Sequence, residues 1–292
     1  MKTTRVIVAG LLALVAPLPL AQVAAAEAAT LAHPPAEYAY DRVVHLEGGQ
    51  NFRDLGGYPA TGGRYVRWGL LFRSGSMYRL TPADFSLLDT LGIKTVVDFR
   101  SQEERQTEPV NWPTGHVPRV LSVDYSLNQR GLLLGDLTSA EIGTKVVAMY
   151  PSILAQFKGE YRRMFAELLN GSAPLVFNCS GGRDRTGIAA ALLLTALGVP
   201  RETIIQDYLL TSRYLDLDRT GPSAQTWQDK SGANPQEIKA AIREVMLSTA
   251  RPSIEAIFKV IDANPGGAEG YLHDEFGLGA ADFDRLRAMY TE

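Results

Sequence analysis

Apolar positions along this chain recur with two different periods. Residues 94–100 (Lys-Thr-Val-Val-Asp-Phe-Arg) and 174–178 (Pro-Leu-Val-Phe-Asn) are short runs of β-branched and aromatic side chains, the pattern of buried strands. Residues 119–125 are a further candidate, and Val43-Val44-His45-Leu46 reads as a short strand. Residues 64–73, following Thr61-Gly62-Gly63, read as a hairpin arm. Between these runs the spacing turns helical. Thr81-Pro82-Ala83-Asp84 starts a helix, with a cap, a proline at the first position and an acid at the third; the helix ends near Gly92. Residues 139–170 are helical, with Pro151 predicted to break or kink the run. Residues 186–197 are Ala-rich and apolar on most sides, so that helix is buried. Helical patterns follow at 201–215, 235–249, 252–263 and 280–290, and the polar stretch 218–234 reads as a mobile loop. Strands alternating with helices predict an α/β domain with a central sheet. No internal repeat is visible, and no linker of domain-boundary type separates the helices after residue 200 from the rest.

The N-terminus breaks this pattern. Lys2 and Arg5 precede an apolar run over 6–20, and Ala24-Ala25-Ala26 supplies small residues for cleavage. This is the layout of a secretory signal peptide, with cleavage expected after Ala26. The run is short and carries Pro17 and Pro19, which argues against a spanning helix of roughly 20 residues. No cysteine follows it, so a lipoprotein anchor is excluded, and no later segment is apolar enough to span a bilayer. The expected organisation is a signal peptide over 1–26, a loose Ala- and Pro-rich lead-in over 27–42 and one domain over 43–292. The mature chain is expected in the periplasm or outside the cell.

The segment with the most chemistry is Asn178-Cys179-Ser180-Gly181-Gly182-Arg183-Asp184-Arg185-Thr186-Gly187, placed between an apolar strand and a helix. Gly181 and Gly182 allow a tight turn in which successive N–H groups face one concavity. The helix end adds unpaired N–H groups. Arg185 can reach back to grip two oxygens of an anion. The result is a cradle for a tetrahedral dianion, with Cys179 at its floor, where the same N–H groups favour a thiolate. A lone cysteine elsewhere would read as a small buried hydrophobe.

Composition narrows the chemistry further. Twenty-nine basic against 32 acidic residues give a net charge of −3, with no basic excess to suggest a nucleic-acid partner. A single cysteine excludes an intrachain disulfide and Cys-rich metal sites. Four histidines, none spaced as His-Glu-x-x-His, argue against a histidine metal site, so no metal or other cofactor is expected. Nothing in the sequence sets the oligomeric state.

Cys-x5-Arg-Thr between a strand and a helix resembles the signature of cysteine-dependent protein tyrosine phosphatases. The Gly-Arg-Asp-Arg-Thr-Gly variant is similar to bacterial tyrosine and dual-specificity phosphatases, which carry Gly-Lys-Asp-Arg-Thr-Gly. Further matches are Asn51-Phe52-Arg53-Asp54-Leu55-Gly56-Gly57, Val97-Asp98-Phe99-Arg100-Ser101 with Glu103-Glu104, Asp207-Tyr208-Leu209, and Gly270-Tyr271-Leu272 with Phe276-Gly277-Leu278. The resemblance covers most of 43–290. It implies a phosphatase-like central sheet flanked by helices, with extra helices after residue 200. It also implies hydrolysis of phosphotyrosine, and in some members phosphoserine, phosphothreonine or phosphoinositide monoesters, through a phosphocysteine on Cys179. Arg185 and the loop residues Ser180, Gly181, Gly182, Arg183 and Thr186 would bind the phosphoryl group.

The resemblance implies Asp184 as the acid that protonates the leaving group, with Asp98 a second candidate and Asp124 a weaker one. Asp98 at a strand end equally reads as a structural brace, and Arg53, Asp54 and Arg100 read as an ion-pair network beneath the loop. Trp112-Pro113-Thr114 is similar to the Trp-Pro-Asp loop of animal tyrosine phosphatases without its acid. Asn178 stands where the family usually has His, and Asn is expected to hydrogen-bond loop carbonyls without adding charge. Arg183 replaces the usual Lys, keeping a charge near the phosphate or a second anionic group. The competing readings are a catalytically weakened phosphate-binding relative and, more remotely, sulfur or arsenate chemistry on a related Cys loop.

Overall fold

The computed structural model describes residues 42–115, 117–126, 139–219 and 234–292. The expected signal peptide, nearly all of the lead-in and most of the 218–234 loop lie outside the described residues.

The described residues form seven strands: β1 (Arg53–Asp54), β2 (Pro59–Ala60), β3 (Arg64–Tyr65), β4 (Leu71–Ser74), β5 (Thr95–Asp98), β6 (Arg119–Ser122) and β7 (Leu175–Asn178). The central sheet has the order β1-β4-β7-β5-β6. Only β1 runs antiparallel to its neighbour; β4, β7, β5 and β6 are parallel. The parallel strands end together, with Ser74, Asn178, Asp98 and Ser122 in register across the C-terminal edge. In an open α/β sheet, ligands bind outside that edge.

The helices are α1 (Pro82–Thr90), α2 (Gln102–Thr107), α3 (Ser139–Gln156), α4 (Lys158–Leu169), α5 (Asp184–Ala196), α6 (Arg201–Leu209), α7 (Thr211–Tyr214), α8 (Pro235–Asp262), α9 (Gly267–Phe276) and α10 (Ala280–Tyr290). Side chains of a strand alternate between faces, and the two faces of this sheet serve two cores. Leu71, Leu175, Phe177 and Val97 join the large cluster with Cys179, the apolar side of α5 and the helices around it. Phe72, Val176 and Val96 join a smaller cluster with Val44, Leu46, Met77 and Leu88 of α1. Helix α5 is buried along almost its whole length, as its Ala- and Leu-rich sequence requires.

Several elements depart from the sequence reading. Residues 43–46 form no strand beyond an isolated bridge from Val43 to Arg53. The chain turns away there because the Asp84 carboxylate accepts from Glu47 N at 2.7 Å and Gly48 N at 2.8 Å. That same carboxylate closes the expected capping box of α1 by accepting from Thr81 N. Residues 64–73 are not one arm: β3 pairs with β2 in a small separate hairpin, and only Leu71–Ser74 enters the main sheet. The helix continues through Pro151, held by a buried face of Ile142, Tyr150 and Leu154, and the break falls at Phe157 instead. The two patterns at 235–249 and 252–263 are one helix, α8, running across Pro252 and packed along α3. Helices α2 and α9 were not expected. Helix α2 is six residues long and is fixed at its start by the Ser101–Glu104 capping box.

Candidate active site

The ten-residue loop leaves the C-terminal end of β7 and enters α5 as the sequence predicts. Its polarity has a clear cause, because every carbonyl from Ser180 to Arg183 is taken from behind. Ser180 O accepts from Ser76 N at 2.7 Å, and Gly181 O and Gly182 O accept from Asn51 Nδ2 at 3.0 and 3.2 Å. Gly182 O also accepts from Arg73 Nη2 at 2.7 Å, and Arg183 O from Gly187 N at 2.8 Å. Among the described residues, no group accepts from the amides of Ser180, Gly181, Gly182 or Arg183. With their carbonyls drawn outward, these N–H groups are left for an anion. Cys179 lies at the base of the loop with 2% of its surface exposed.

Gly182 is obligatory in this geometry. It has φ +68°, and a Cβ there would lie 2.6 Å from Ser74 O. Asn51 is itself left-handed at φ 57°, a conformation that Asn tolerates better than most residues. That turn lets its Nδ2 face the loop while its Oδ1 accepts from Arg53 Nη1. Arg53 Nε donates to Asp207 Oδ1 at 3.0 Å, and Arg73 Nη1 donates to Asp207 Oδ2 at 2.5 Å. The two guanidiniums outweigh the burial of Asp207 and hold its carboxyl well below the usual range. The ion-pair network beneath the loop is therefore Arg53, Arg73 and Asp207. Asp54 lies outside it and accepts from Gly56 N and Gly69 N, each at 2.7 Å.

Arg185 sits in the first turn of α5. Its Nη1 and Nη2 donate end-on to Glu104 at 2.7 and 2.9 Å, and Nη1 also donates to Phe99 O at 2.9 Å and Tyr125 Oη at 2.7 Å. Nε–H and the second Nη2 hydrogen have no acceptor among the described residues, and this side-on pair suits two oxygens of a phosphoryl group. Glu104, which the sequence reading did not place in the site, also accepts from Ser180 Oγ and from Ser101 N. Burial raises its carboxyl, but the hydrogen bonds and charge of Arg185 prevail, with Ser180 and Ser101 assisting, and hold it at about 2. Its sequence signal was its place beside residues 97–101 among the family matches, which gave no hint that the carboxylate reaches the loop.

Asp184 stays at the rim, with 43% of its side chain exposed, and its Oδ1 accepts from Tyr150 Oη. Asp98 is placed elsewhere. Strand alternation sets it on the face of Val96, opposite the cluster that holds Cys179. Arg100 binds it with Nε at 3.0 and 3.1 Å and Nη2 at 2.7 Å. Asp98 is thus a brace on the reverse side of the sheet, lining a cavity of about 230 Å³ with Val96, Arg100 and Trp112. Asp124 is exposed and pairs with Arg105.

Three loop expectations change. Asn178 Nδ2 approaches Asp98 Oδ1 at 3.4 Å rather than the loop carbonyls, which Asn51 holds instead. Arg183 does not face the cradle: its Nη2 donates to Thr249 Oγ1 at 2.8 Å and to Met246 O at 3.3 Å, both on α8. The buried acceptors of α8 draw the guanidinium away from the loop's concave side. Thr186 is fully buried, with its hydroxyl 3.5 Å from Ser74 O. Ser180, Gly181 and Gly182 form the turn between β7 and α5.

The chain is similar in sequence to several known proteins. A tyrosine-protein phosphatase, so named provisionally, from Cupriavidus necator is 32% identical over 249 residues, covering 82% of this chain and 85% of its own. The triple specificity protein phosphatase PtpB of Mycobacterium tuberculosis is 28% identical over 276 residues, covering 85% of this chain and 98% of its own. A tyrosine-protein phosphatase of Nostoc commune is 28% identical over 228 residues, covering 74% of this chain and 72% of its own. The sequence profile of the tyrosine phosphatase family runs from residue 44 to residue 292, through every element that shapes the loop, and the chain belongs to that family.

Proposed function

We propose that this protein hydrolyses phosphotyrosine monoesters in two steps at Cys179. The reading rests on the row of unpartnered loop amides over the cysteine, completed by the open side-on edge of Arg185. In the first step the Cys179 thiolate attacks phosphorus. An S–P bond forms as the P–O bond to the leaving group breaks, and Asp184 gives its proton to the departing oxygen. In the second step water attacks the phosphocysteine, Asp184 takes back a proton, and phosphate and thiolate are released. Arg185 and the loop amides carry the negative charge on the non-bridging oxygens in both steps.

The proposed substrate range extends to phosphoserine, phosphothreonine and phosphoinositides; the M. tuberculosis relative is named for triple specificity. The proposed location is periplasmic or secreted, from the charged, apolar and small-residue order of residues 1–26. No helix among the described residues is long and apolar enough to cross a membrane.

The test is phosphate release from a phosphotyrosine peptide and from a phosphoinositide, with chelator present, by wild type and Cys179→Ser. Turnover by wild type and none by Cys179→Ser is expected. Vanadate binding without turnover by wild type would leave a phosphate-binding relative instead.

A further inference from the structure

We propose that Tyr150 is a positioning residue for Asp184, the last link of a buried hydroxyl relay that runs from Tyr208, beside Arg183. The inference rests on the assignment of Asp184 as general acid and adds what fixes that acid in place.

The relay joins residues far apart in the sequence. Tyr150 on α3 donates to Asp184 Oδ1, and its hydroxyl also meets that of Tyr208 on α6. The Arg183 guanidinium lies close enough to Tyr208 for its charge to act on that hydroxyl. The direction of each bond follows from the proton inventory. A carboxylate only accepts, so the single Tyr150 proton goes to Asp184. Tyr150 Oη must then accept from Tyr208. Burial pushes the Tyr208 hydroxyl up to about 12 and that of Tyr150 well above its usual value, so both keep their protons. The far end is fixed too, since Arg183 is tied to Thr249 Oγ1, which donates to Val245 O at 2.6 Å.

The packing is as specific as the bonds. Both tyrosines are 1% exposed. The Tyr208 ring lies over Gly187, where a Cβ would come within 2.6 Å of it. The last glycine of the loop motif thus makes room for the relay.

The consequence concerns which oxygen does the chemistry. Tyr150 engages Oδ1, with Arg183 Nε 3.9 Å from the same atom, while no described residue donates to Oδ2. A proton on Asp184 is therefore directed to Oδ2, the oxygen left for the leaving group and later for water. Hydrogen bonds in such a chain polarise one another, and the charged Arg183 end strengthens the bond at Asp184.

The experiment compares wild type, Tyr150→Phe, Tyr208→Phe, Asp184→Asn and Tyr150→Phe/Asp184→Asn on a series of aryl phosphates of graded leaving-group acidity, with vanadate affinity measured in parallel. For Tyr150→Phe, kcat should fall about tenfold for phosphotyrosine and much less for the most activated ester. KM and vanadate affinity should be unchanged, and Tyr208→Phe should show a smaller effect of the same kind. In the double variant, loss of Tyr150 should add no further leaving-group dependence. A flat loss across the series, or no loss in either Phe variant while Asp184→Asn steepens the dependence, would overturn the relay alone. A flat response in Asp184→Asn would overturn the acid assignment and the relay with it.

Discussion

Glu104 grips Arg185 end-on, with Oε2 on Nη1 at 2.7 Å and Oε1 on Nη2 at 2.9 Å, both side chains being largely buried. The pair fixes the plane of the guanidinium and so decides which of its edges faces the anion. Removing the charge from one partner of a buried pair leaves the other uncompensated. Glu104→Gln should destabilise the fold by about 3 kcal/mol and weaken vanadate binding, as chemical denaturation and vanadate titration of the variant will read. Unchanged vanadate affinity would show that Arg185 needs no such support.

The same pair sets a pH dependence. The folded Glu104 carboxyl, at about 2, lies below its ordinary 4.5. Its contribution to stability is complete above 4.5 and is lost as pH falls toward 2. Asp54 has the opposite sign. Burial lifts it to about 6 from 3.8, and hydrogen bonds from Gly69 and Gly56 and the charge of Arg42 only partly offset this. Stability linked to Asp54 is complete below 3.8 and is lost as pH rises through 6, by up to about 3 kcal/mol. Denaturant midpoints at pH 4.5 and 7 should therefore converge in Asp54→Asn relative to wild type.

Asp184 and Asp98 should separate by leaving group. Asp184→Asn should slow phosphotyrosine roughly 10²–10⁴-fold and an activated aryl ester far less. Asp98→Asn loosens the Arg100 brace and should depress both substrates alike. Initial rates on the two substrates decide it; a steeper leaving-group dependence in Asp98→Asn alone would reverse the assignment.

Gly182 and Gly181 should differ although they are neighbours. Gly182→Ala meets Ser74 O and keeps an unfavourable φ, so it should cost about 1–3 kcal/mol and most of the activity. The nearest atom to a Cβ on Gly181 is Leu215 Cδ2 at 3.5 Å, an ordinary contact. Gly181→Ala should unfold within about 0.5 kcal/mol of wild type. Thermal unfolding of both variants, beside their rates, tests the contrast.

The loop was legible because its information is local: an apolar strand, two glycines and an apolar helix in one stretch of residues. Arg183 was misplaced because its partners, Met246 and Thr249, come 63 and 66 residues later, on a helix whose position no local pattern sets. Asp98 could have been read better, since strand alternation from Val97 already turns it away from the Cys179 side. Pro151 misled for the opposite reason: a local rule favoured a break there, and a gap was read between the patterns ending at 249 and starting at 252, but the buried contact between α3 and α8 overrode both. Asn51 showed only as part of a motif, and its task follows from a left-handed turn 130 residues before the carbonyl it holds.

That separation bears on how the protein folds. The bonds that shape the cradle reach across the chain: Asn51 to Gly181 spans 130 residues, and Arg73 to Gly182 spans 109. Contacts of such high order should close late, after the sheet has brought β1, β4 and β7 together. A partly folded chain has the cysteine and the arginine but no concavity to unite them. Oxyanions such as phosphate or vanadate should therefore bind only the finished fold and add to its stability in proportion to their occupancy.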